Sequence, residues 1–149
     1  MTEAEASTCR LFVYGTLKPG ERAYGKFFNG SVRAIQAAIV PGRLYHLPGL
    51  GYPALTLEQG WVRGVLLTLM SPNLLEPLDE FEEYYPNHLQ ESAYYRIRHP
   101  VHSLEKQPLG QAWVYTMPKE QVIALGGWWL AEGWWSSDGV RGNGGVYHQ

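Results

Sequence analysis

Glycine and proline interrupt this chain so often that short segments joined by turns are expected along most of its length. Gly (17) and Pro (10) make up about 18% of the 149 residues, against about 12% in an average protein. Short apolar, β-prone segments lie between these interruptions, and Tyr95–His99 alternates apolar and polar residues as a half-solvated strand does. The predicted strands are Arg10–Tyr14, Val32–Val40, Arg43–Leu47, Trp61–Met70, Tyr94–His102 and Gln111–Thr116.

Two helices are predicted between these strands. Ser71 is a typical N-cap and Pro72 suits the first helical position. Pro77 is expected to kink this helix or split it into two turns. Lys119–Leu125 is predicted as a second, shorter helix. Five or six strands with two short helices predict an α+β domain built on a small mixed barrel or a strongly curved sheet. The apolar positions at helical spacing are Leu74, Leu75, Leu78 and Phe81.

Charge and cysteine content exclude several classes of protein. The net charge is −2, and 12 Lys/Arg are scattered among 14 Asp/Glu without the basic patch of a nucleic-acid-binding protein. No apolar stretch approaches the ~18 residues of a membrane span, and the acidic N-terminus lacks the hydrophobic region of a signal peptide. The single Cys9 excludes an internal disulfide and a cysteine-based zinc cluster. We therefore expect a cytoplasmic protein that binds neither nucleic acid nor membrane.

The length is that of one domain. We predict a flexible lead at residues 1–9, a single domain at residues 10–136 and a mobile tail at residues 137–149. Residues 126–135 hold four of the six tryptophans. They are interpreted as a strap that closes an open barrel edge, in preference to a subunit contact or one wall of the pocket. The chain is expected to be a monomer or a weak homodimer.

An acidic segment, Glu76–Glu83, places one carboxylate on the apolar side of the first predicted helix. At about 100° per residue, Glu82 falls between Leu75 and Leu78, on the face that should be buried, and Asp79 falls at its edge. Such a carboxylate is either satisfied by an arginine or by backbone donors, or is a proton-exchanging group whose pKa is raised by desolvation. Three acids fall on the opposite face and are predicted to be ordinary surface acids: Glu76, Glu80 and Glu83.

A tight turn follows the first predicted strand, at Gly15–Gly20. Its glycines have the spacing of a phosphate-binding loop, but Glu21 and Arg22 stand where that motif requires Lys and Ser/Thr, which excludes nucleotide binding of that kind. The free backbone amides of such a turn can hold an anionic group. The turn can also be no more than a connection.

Two motifs resemble those of the gamma-glutamylcyclotransferase-like family. Phe12–Gly20 is similar to the family's opening motif, and Leu78–Glu82 is similar to its Leu-Asp-x-x-Glu helix motif. The resemblance covers about residues 10–117. Weaker matches lie between and beyond the two motifs, at Tyr52–Leu55, at Gly64–Leu66, and at Tyr95 and Ile97 with Arg96 between them. It points to the avirulence-induced-gene-like branch, of the gamma-glutamylamine cyclotransferase type. It implies a small mixed β-barrel with short flanking helices and a pocket at one end.

The resemblance also implies the chemistry. Family members release 5-oxoproline from γ-glutamyl compounds without a metal or cofactor, by attack of the substrate's own α-amine on its side-chain carbonyl. The catalytic glutamate would be Glu82 and the substrate-binding loop Tyr14, Gly15, Thr16 and Leu17. Many members have Gly at the position of Glu83. The additional carboxylate of Glu83 would either alter the charge of the pocket or face solvent. A binding module for a small amino-acid-like ligand remains the alternative, because one fold hosts many functions.

Three further residues are candidates for the pocket. Asp79 lies in the helix motif, Arg96 is expected to pair with an acid or with substrate, and Tyr115 lies in a predicted strand. A solvated strand face explains Arg96 equally well, whereas core packing is the preferred interpretation of Tyr115. The leaving group stays open between a peptide amine, a lysine side chain, a polyamine and the cysteine of glutathione.

Overall fold

The computed structural model describes residues 9–142, which form one six-stranded sheet with short helices around it. The strands are β1 (Cys9–Val13), β2 (Val32–Leu47), β3 (Tyr52–Leu69), β4 (Tyr95–His102), β5 (Pro108–Thr116) and β6 (Trp128–Trp129). The helices are α1 (Tyr24–Phe28), α2 (Leu75–Phe81), α3 (Lys119–Ala124) and α4 (Ser137–Gly142), and tighter single turns occupy Pro72–Leu74 and Leu89–Glu91.

The sheet curls into a loose ring. Its order is β3-β1-β5-β4-β2-β6, and β2 pairs again with β3 along most of its length, so that five strands return to their starting point. β1 and β5 are parallel, whereas the other pairs are antiparallel. The pairs β1–β5 and β2–β4 each rest on one residue pair, Leu11 with Trp113 and Ile39 with His102. The predicted α+β class is confirmed, and the ring is less closed than a full barrel.

The two longest strands exceed their predicted lengths because the chain bends where the sequence suggested a stop. β2 joins two predicted strands across a register shift between Pro41 and Arg43. Gly42 lies there with φ +149°, and a Cβ on it would come within 2.9 Å of the Thr56 carbonyl oxygen. β3 begins at Tyr52, inside a segment that the turn residues around it had suggested was a loop.

The first predicted helix is split, as its proline suggested. The Ser71 hydroxyl accepts a hydrogen bond from the Asn73 N–H at 3.1 Å and caps the tight turn at Pro72–Leu74. Pro77 has no N–H to donate back to Asn73, so the α-helical hydrogen bonds begin only with α2. α1 was not predicted, because five residues are too few to show a helical period.

The tryptophan-rich segment packs onto its own chain. β6 pairs with Tyr45 and His46 of β2. Trp135 is 1% exposed, and its indole N–H donates a hydrogen bond to His46 Nδ1 at 3.0 Å. Trp129 and Trp134 remain exposed. The tryptophan-rich segment therefore packs along β2 and buries one of its rings, that of Trp135.

The predicted ends of the domain are described only in part. β1 begins at Cys9, the last residue of the predicted lead, and α4 occupies residues 137–142 of the predicted tail. The remainder of both predictions, at residues 1–8 and 143–149, lies outside the described residues. Between residues 9 and 142, the helices are all too short or too polar to cross a lipid bilayer.

Candidate active site

A cavity of about 250 Å³ opens at one end of the sheet. The parallel strands β1 and β5 end there, and the antiparallel strands β3 and β4 begin there. Residues from distant parts of the sequence therefore meet, together with the end of α2. The cavity is lined by Phe12, Val13, Tyr14, Gly15, Thr16, Leu17, Arg22, Tyr52, Pro53, Phe81, Glu82, Glu83, Tyr94 and Tyr115.

The turn after β1 supplies unsatisfied backbone donors to this cavity. The Gly15 carbonyl accepts from the Lys18 N–H and the Thr16 carbonyl from the Ala23 N–H, both at 3.0 Å. The N–H groups of Gly15, Thr16 and Leu17 have no acceptor among residues 9–142. Consecutive free N–H groups of this kind can bind a carboxylate or a developing oxyanion.

The same turn packs directly against the start of β3. A Cβ on Gly15 would lie 2.7 Å from Pro53 Cγ, so no larger residue fits without a shift of the backbone. Pro53 is itself held by the Tyr94 hydroxyl, which donates to its carbonyl at 2.7 Å. The position of the three N–H groups is therefore set by close packing across two strands.

Tyr14 anchors the turn through its hydroxyl. The hydroxyl donates to the Tyr115 carbonyl at 2.6 Å and accepts from the Leu55 N–H at 3.3 Å. Burial, and secondarily the charge of Glu82, raises the pKa of Tyr14 well above its ordinary value. Tyr14 therefore stays neutral, and its hydroxyl fixes the loop to β3 and β5.

Glu82 stands at the C-terminal end of α2, with its side chain on the cavity. Its own N–H donates to the Leu78 carbonyl at 2.9 Å, which continues the helical turn by one residue. Within the described chain, its carboxylate has no hydrogen-bond or ion-pair partner. Burial is the main cause that raises the pKa of Glu82 from 4.5 to about 8, and the neighbouring charge of Glu83 adds to it. Glu82 can therefore exchange a proton near neutral pH.

Glu83 is exposed, as predicted for a surface acid, but it also lines the cavity, which the prediction did not include. The helical wheel fails here because α2 ends at Phe81 and Glu83 adopts a left-handed conformation, with φ 54°. Its carbonyl accepts from the Ala93 N–H at 2.8 Å, a contact across ten residues that the helical period does not contain. The turned backbone places the side chain beside Glu82.

Of the three further candidates, only Tyr115 lines the cavity. Asp79 and Arg96 are not among its lining residues, and Arg96 has the first of the two partners expected for it, an acid. The Arg96 guanidinium donates to both carboxylate oxygens of Asp79, at 2.7 and 3.0 Å, and Tyr115 donates its hydroxyl to Asp79 Oδ1 at 2.7 Å. The Asp79–Arg96 pair therefore supports the cavity wall through Tyr115.

Sequence reasoning missed Arg22 and Tyr94 as cavity residues, and treated Tyr52 and Pro53 only as part of a motif match. The weak family match at Tyr52–Leu55 was the sequence signal that could have identified the last two. Nothing local marks Arg22, which reaches the cavity because the turn brings it there. Among residues 9–142, no three His, Cys, Asp or Glu side chains are grouped closely enough to hold a metal ion.

A family model and a known protein match the sequence of this chain. The family model described as gamma-glutamyl cyclotransferase, AIG2-like, matches residues 11–137. The gamma-L-glutamyl-butirosin B gamma-glutamyl cyclotransferase of Niallia circulans is 34% identical over 105 residues, which are 70% of this chain and 65% of that protein. The match thus spans slightly less than two thirds of that relative's length.

Solved structures share the fold. The crystal structure of an AIG2-like protein from Mus musculus is 26% identical, with a TM-score of 0.57 over 74% of this chain and 77% of that one. The structure of a gamma-glutamyl cyclotransferase is 16% identical, with a TM-score of 0.55 over 74% of this chain and 66% of that one. At the lower identity, the likeness concerns the fold alone.

Proposed function

Because the chain belongs to the gamma-glutamyl cyclotransferase, AIG2-like family, we propose that it releases 5-oxoproline from a γ-glutamyl amine or peptide. One observation carries the proposal. The unpaired carboxyl of Glu82 and the free N–H groups of Gly15, Thr16 and Leu17 belong to the same cavity. Ring closure within one bound molecule needs a base, a site for the oxyanion and a folded substrate, and needs no protein nucleophile.

In the first step, Glu82 acts as the base. The α-ammonium of the substrate gives one proton to the Glu82 carboxylate, which leaves a neutral amine with a free electron pair. This nitrogen attacks the γ-carbonyl carbon, a carbon–nitrogen bond forms, and the carbonyl electron pair moves to the oxygen. A carboxyl whose pKa is about 8 suits this transfer near neutral pH better than an ordinary glutamate does.

In the second step, the same residue acts as the acid. The N–H groups of the turn stabilise the oxyanion while Glu82 returns the proton to the leaving nitrogen. The electron pair on the oxyanion re-forms the carbonyl and the bond between the leaving nitrogen and the γ-carbon breaks. The remaining extra proton of the ring nitrogen passes through the Glu82 carboxylate to the released amine, so that 5-oxoproline and an ammonium leave and Glu82 is again a carboxylate. The substrate α-carboxylate is placed near Arg22, the cationic side chain on the described part of the cavity.

The direct test compares the wild type with Glu82→Gln and with Glu80→Gln, an exposed acid of the same helix that does not line the cavity. The measurement is 5-oxoproline release from γ-glutamyl amines, γ-glutamyl dipeptides and glutathione. We expect Glu82→Gln to lower kcat/KM by about 10²–10⁴, the usual contribution of a general acid–base, and Glu80→Gln to leave it unchanged. A folded Glu82→Gln protein with parental activity would refute the assignment.

The same panel separates catalysis from simple binding. Turnover of any member supports the enzyme. If calorimetry shows saturable binding of a γ-glutamyl compound and no 5-oxoproline accumulates, the protein is a binding module and the proposed reaction is wrong.

A further inference from the structure

A groove of about 540 Å³ lies outside the candidate active site. Its walls come from the paired strands β2 and β3, from the turn that joins β4 to β5, and from the tryptophan-rich segment. Among residues 9–142, it shares no lining residue with the active-site cavity. Its volume falls within the range of about 300–1,000 Å³ that is usual for small-molecule sites. The lining includes Ile39, Trp61, Arg63, Leu104, Lys106 and Glu132.

The groove carries more positive than negative charge. Arg63 and Lys106 are exposed, and neither lies within 4 Å of a carboxylate in the described chain, where the ion pairs involve other cations. Glu132 also lines the groove, but its single charge offsets only one of the two cations. The groove therefore offers a net positive charge to a molecule that enters it.

Each of these cations stands beside an exposed indole ring. Lys106 Nζ lies 5.4 Å from the centre of the Trp61 ring, and Arg63 Cζ lies 5.8 Å from the centre of the Trp134 ring. The two tryptophans are 39% and 43% exposed, respectively. The Trp61 ring meets the His102 ring edge to face, with 5.1 Å between their centres, which fixes its orientation. A flat apolar surface beside a cation complements a ligand that combines a flat ring with a negative charge.

The wall formed by the tryptophan-rich segment is fixed to β3. The Arg63 N–H donates to the Gly133 carbonyl at 2.7 Å. A Cβ on Gly133 would overlap the Trp61 carbonyl oxygen, so the two backbones touch at this point. The groove is therefore formed before any ligand binds.

The opposite charge-bearing wall is a tight turn with an unusual residue. Lys106 has φ 68°, a conformation in which glycine is free of strain and a lysine is not. The Lys106 N–H donates to the Ser103 carbonyl and the Ser103 N–H donates to the Gln107 carbonyl, both at 2.9 Å, and these bonds hold the turn. A strained lysine kept on the wall of a groove favours a role for its side chain.

From these features we propose that the groove is a second binding site, which takes a small organic anion. The flat ring of the anion stacks on Trp61, and its acidic group pairs with Arg63 and Lys106. This inference does not depend on the proposed reaction. It gives the tryptophan-rich segment a second task, as one wall of this site.

Two probes that differ only in charge test the site in the full chain: naphthoate, a carboxylate, and naphthamide, the neutral amide of the same ring. The measurement is the indole N–H signal of Trp61 in a proton–nitrogen NMR spectrum, which its loss in Trp61→Leu identifies. We expect naphthoate to shift this signal saturably and to bind about tenfold more tightly than naphthamide at low salt, the scale of two partly solvated charge pairs. Equal affinities, or an unmoved Trp61 signal, would overturn the proposal.

Substitution of the cations locates the charge that the probe recognises. Arg63→Gln and Lys106→Gln should each weaken naphthoate binding by about threefold and leave naphthamide binding unchanged. Arg33→Gln is the matched control, an exposed arginine of β2 that does not line the groove, and it should change neither affinity. Naphthoate binding that survives unchanged in both groove variants would contradict the assignment. Urea midpoints close to that of the wild type show that the variants are folded.

Binding of the probe in the active-site cavity gives a different result. Arg22 lines that cavity and not the groove. If the anion occupies the groove, Arg22→Gln leaves the titration of the Trp61 signal unchanged. If Arg22→Gln abolishes the shift, the probe binds at the active site and the second site is refuted. Both results can be read whether or not the protein releases 5-oxoproline.

Discussion

Arg96 binds both carboxylate oxygens of Asp79, at 2.7 and 3.0 Å, and thereby assigns the two acids of one helix motif to different tasks. The charge of Asp79 is balanced within the cavity wall, where its carboxylate also accepts a hydrogen bond from the Tyr115 hydroxyl. Glu82, three residues further on, has no such partner in the described chain and opens onto the cavity. The pairing leaves Glu82 as the acid of this motif that is free to exchange a proton with a bound molecule.

The folded protein should lose stability as Glu82 ionises. The pKa of Glu82 is raised from 4.5 to about 8 in the folded state, so the unfolded chain releases this proton at lower pH. The contribution of protonated Glu82 to the free energy of unfolding is therefore fully present below pH 4.5, and it is lost as the pH rises through about 8. In urea unfolding, Glu82→Gln should match the wild type at the acid end and exceed it by up to about 5 kcal/mol at the alkaline end. If the free energies of unfolding of the two proteins changed with pH in parallel, the Glu82 carboxyl would not be desolvated.

The pH dependence of catalysis should follow the same group. Since the base must be unprotonated, kcat/KM with a γ-glutamyl substrate should rise with pH, reach half of its limiting value near pH 8 and level off above that pH. The negative charge of Glu83 contributes to the raised pKa, so Glu83→Gln should move this limb of the profile to lower pH. Glu80→Gln serves as the control and should leave the limb in place. An unshifted limb in Glu83→Gln would contradict the electrostatic coupling.

Asp79→Asn should lower stability more than activity. It leaves the half-buried Arg96 guanidinium without its counter-charge, which should cost about 2 kcal/mol in the free energy of unfolding. Tyr115→Phe removes a single hydrogen bond to the same carboxylate and should cost about 1 kcal/mol. Because Asp79 does not line the cavity, kcat/KM should fall by less than about tenfold, far less than in Glu82→Gln. A fall as large as that of Glu82→Gln would place Asp79 in the reaction.

Gly15→Ala should impair the anion-binding turn. The added Cβ would lie 2.7 Å from Pro53 Cγ, so the turn must move away from β3 and its N–H groups move with it. We expect a loss of about 2 kcal/mol in stability from overpacking, together with a clear fall in kcat. Gly25→Ala in α1 is the matched control, since its Cβ meets open space, and it should be neutral or slightly stabilising. Similar losses of stability and activity in the two variants would show that the contact with Pro53 is not what requires glycine at position 15.

Lys18→Met should loosen the tryptophan-rich segment. Lys18 is 2% exposed, donates to the Trp135 carbonyl and lies 4.0 Å from the centre of the Trp134 ring. Loss of the ammonium leaves the buried Trp135 carbonyl without its donor and Glu21 without its cation, which should cost about 2 kcal/mol in unfolding free energy and red-shift the tryptophan fluorescence. The exposed Lys26 provides the control, and Lys26→Met should change stability by less than about 0.5 kcal/mol. An unchanged spectrum in Lys18→Met would show that the segment is held by other contacts.

The sequence predicted some of these features because they are local. Ser71 and Pro72 indicate a helix start by their own chemistry, and the proline at position 77 explains why the helix is split. The alternation in Tyr95–His99 indicates β4. The spacing of Leu75, Leu78 and Glu82 was sufficient to single out one acid, because Glu82 is only one residue beyond the end of α2.

The same reasoning failed one residue later. The wheel assumed that the helix continues to Glu83, whereas a left-handed residue ends the turn and a hydrogen bond from Ala93 holds it. Likewise, Pro41 and Gly42 suggested a strand end and instead form a bend inside β2, because β3 pairs with both halves of the strand. Both outcomes depend on partners that are remote in sequence.

The sequence by itself determined the fold class and the residues with chemistry to offer, since periodicity, turn residues and short motifs are properties of neighbouring positions. Only the tertiary structure decided which of these residues share a cavity. Four strands that meet at one end bring the Gly15 turn, Tyr94 and Tyr115 to the end of α2, and the Arg96–Asp79 pair selects which acid stays free. These relationships arise from long-range strand pairing and desolvation, which no local pattern encodes.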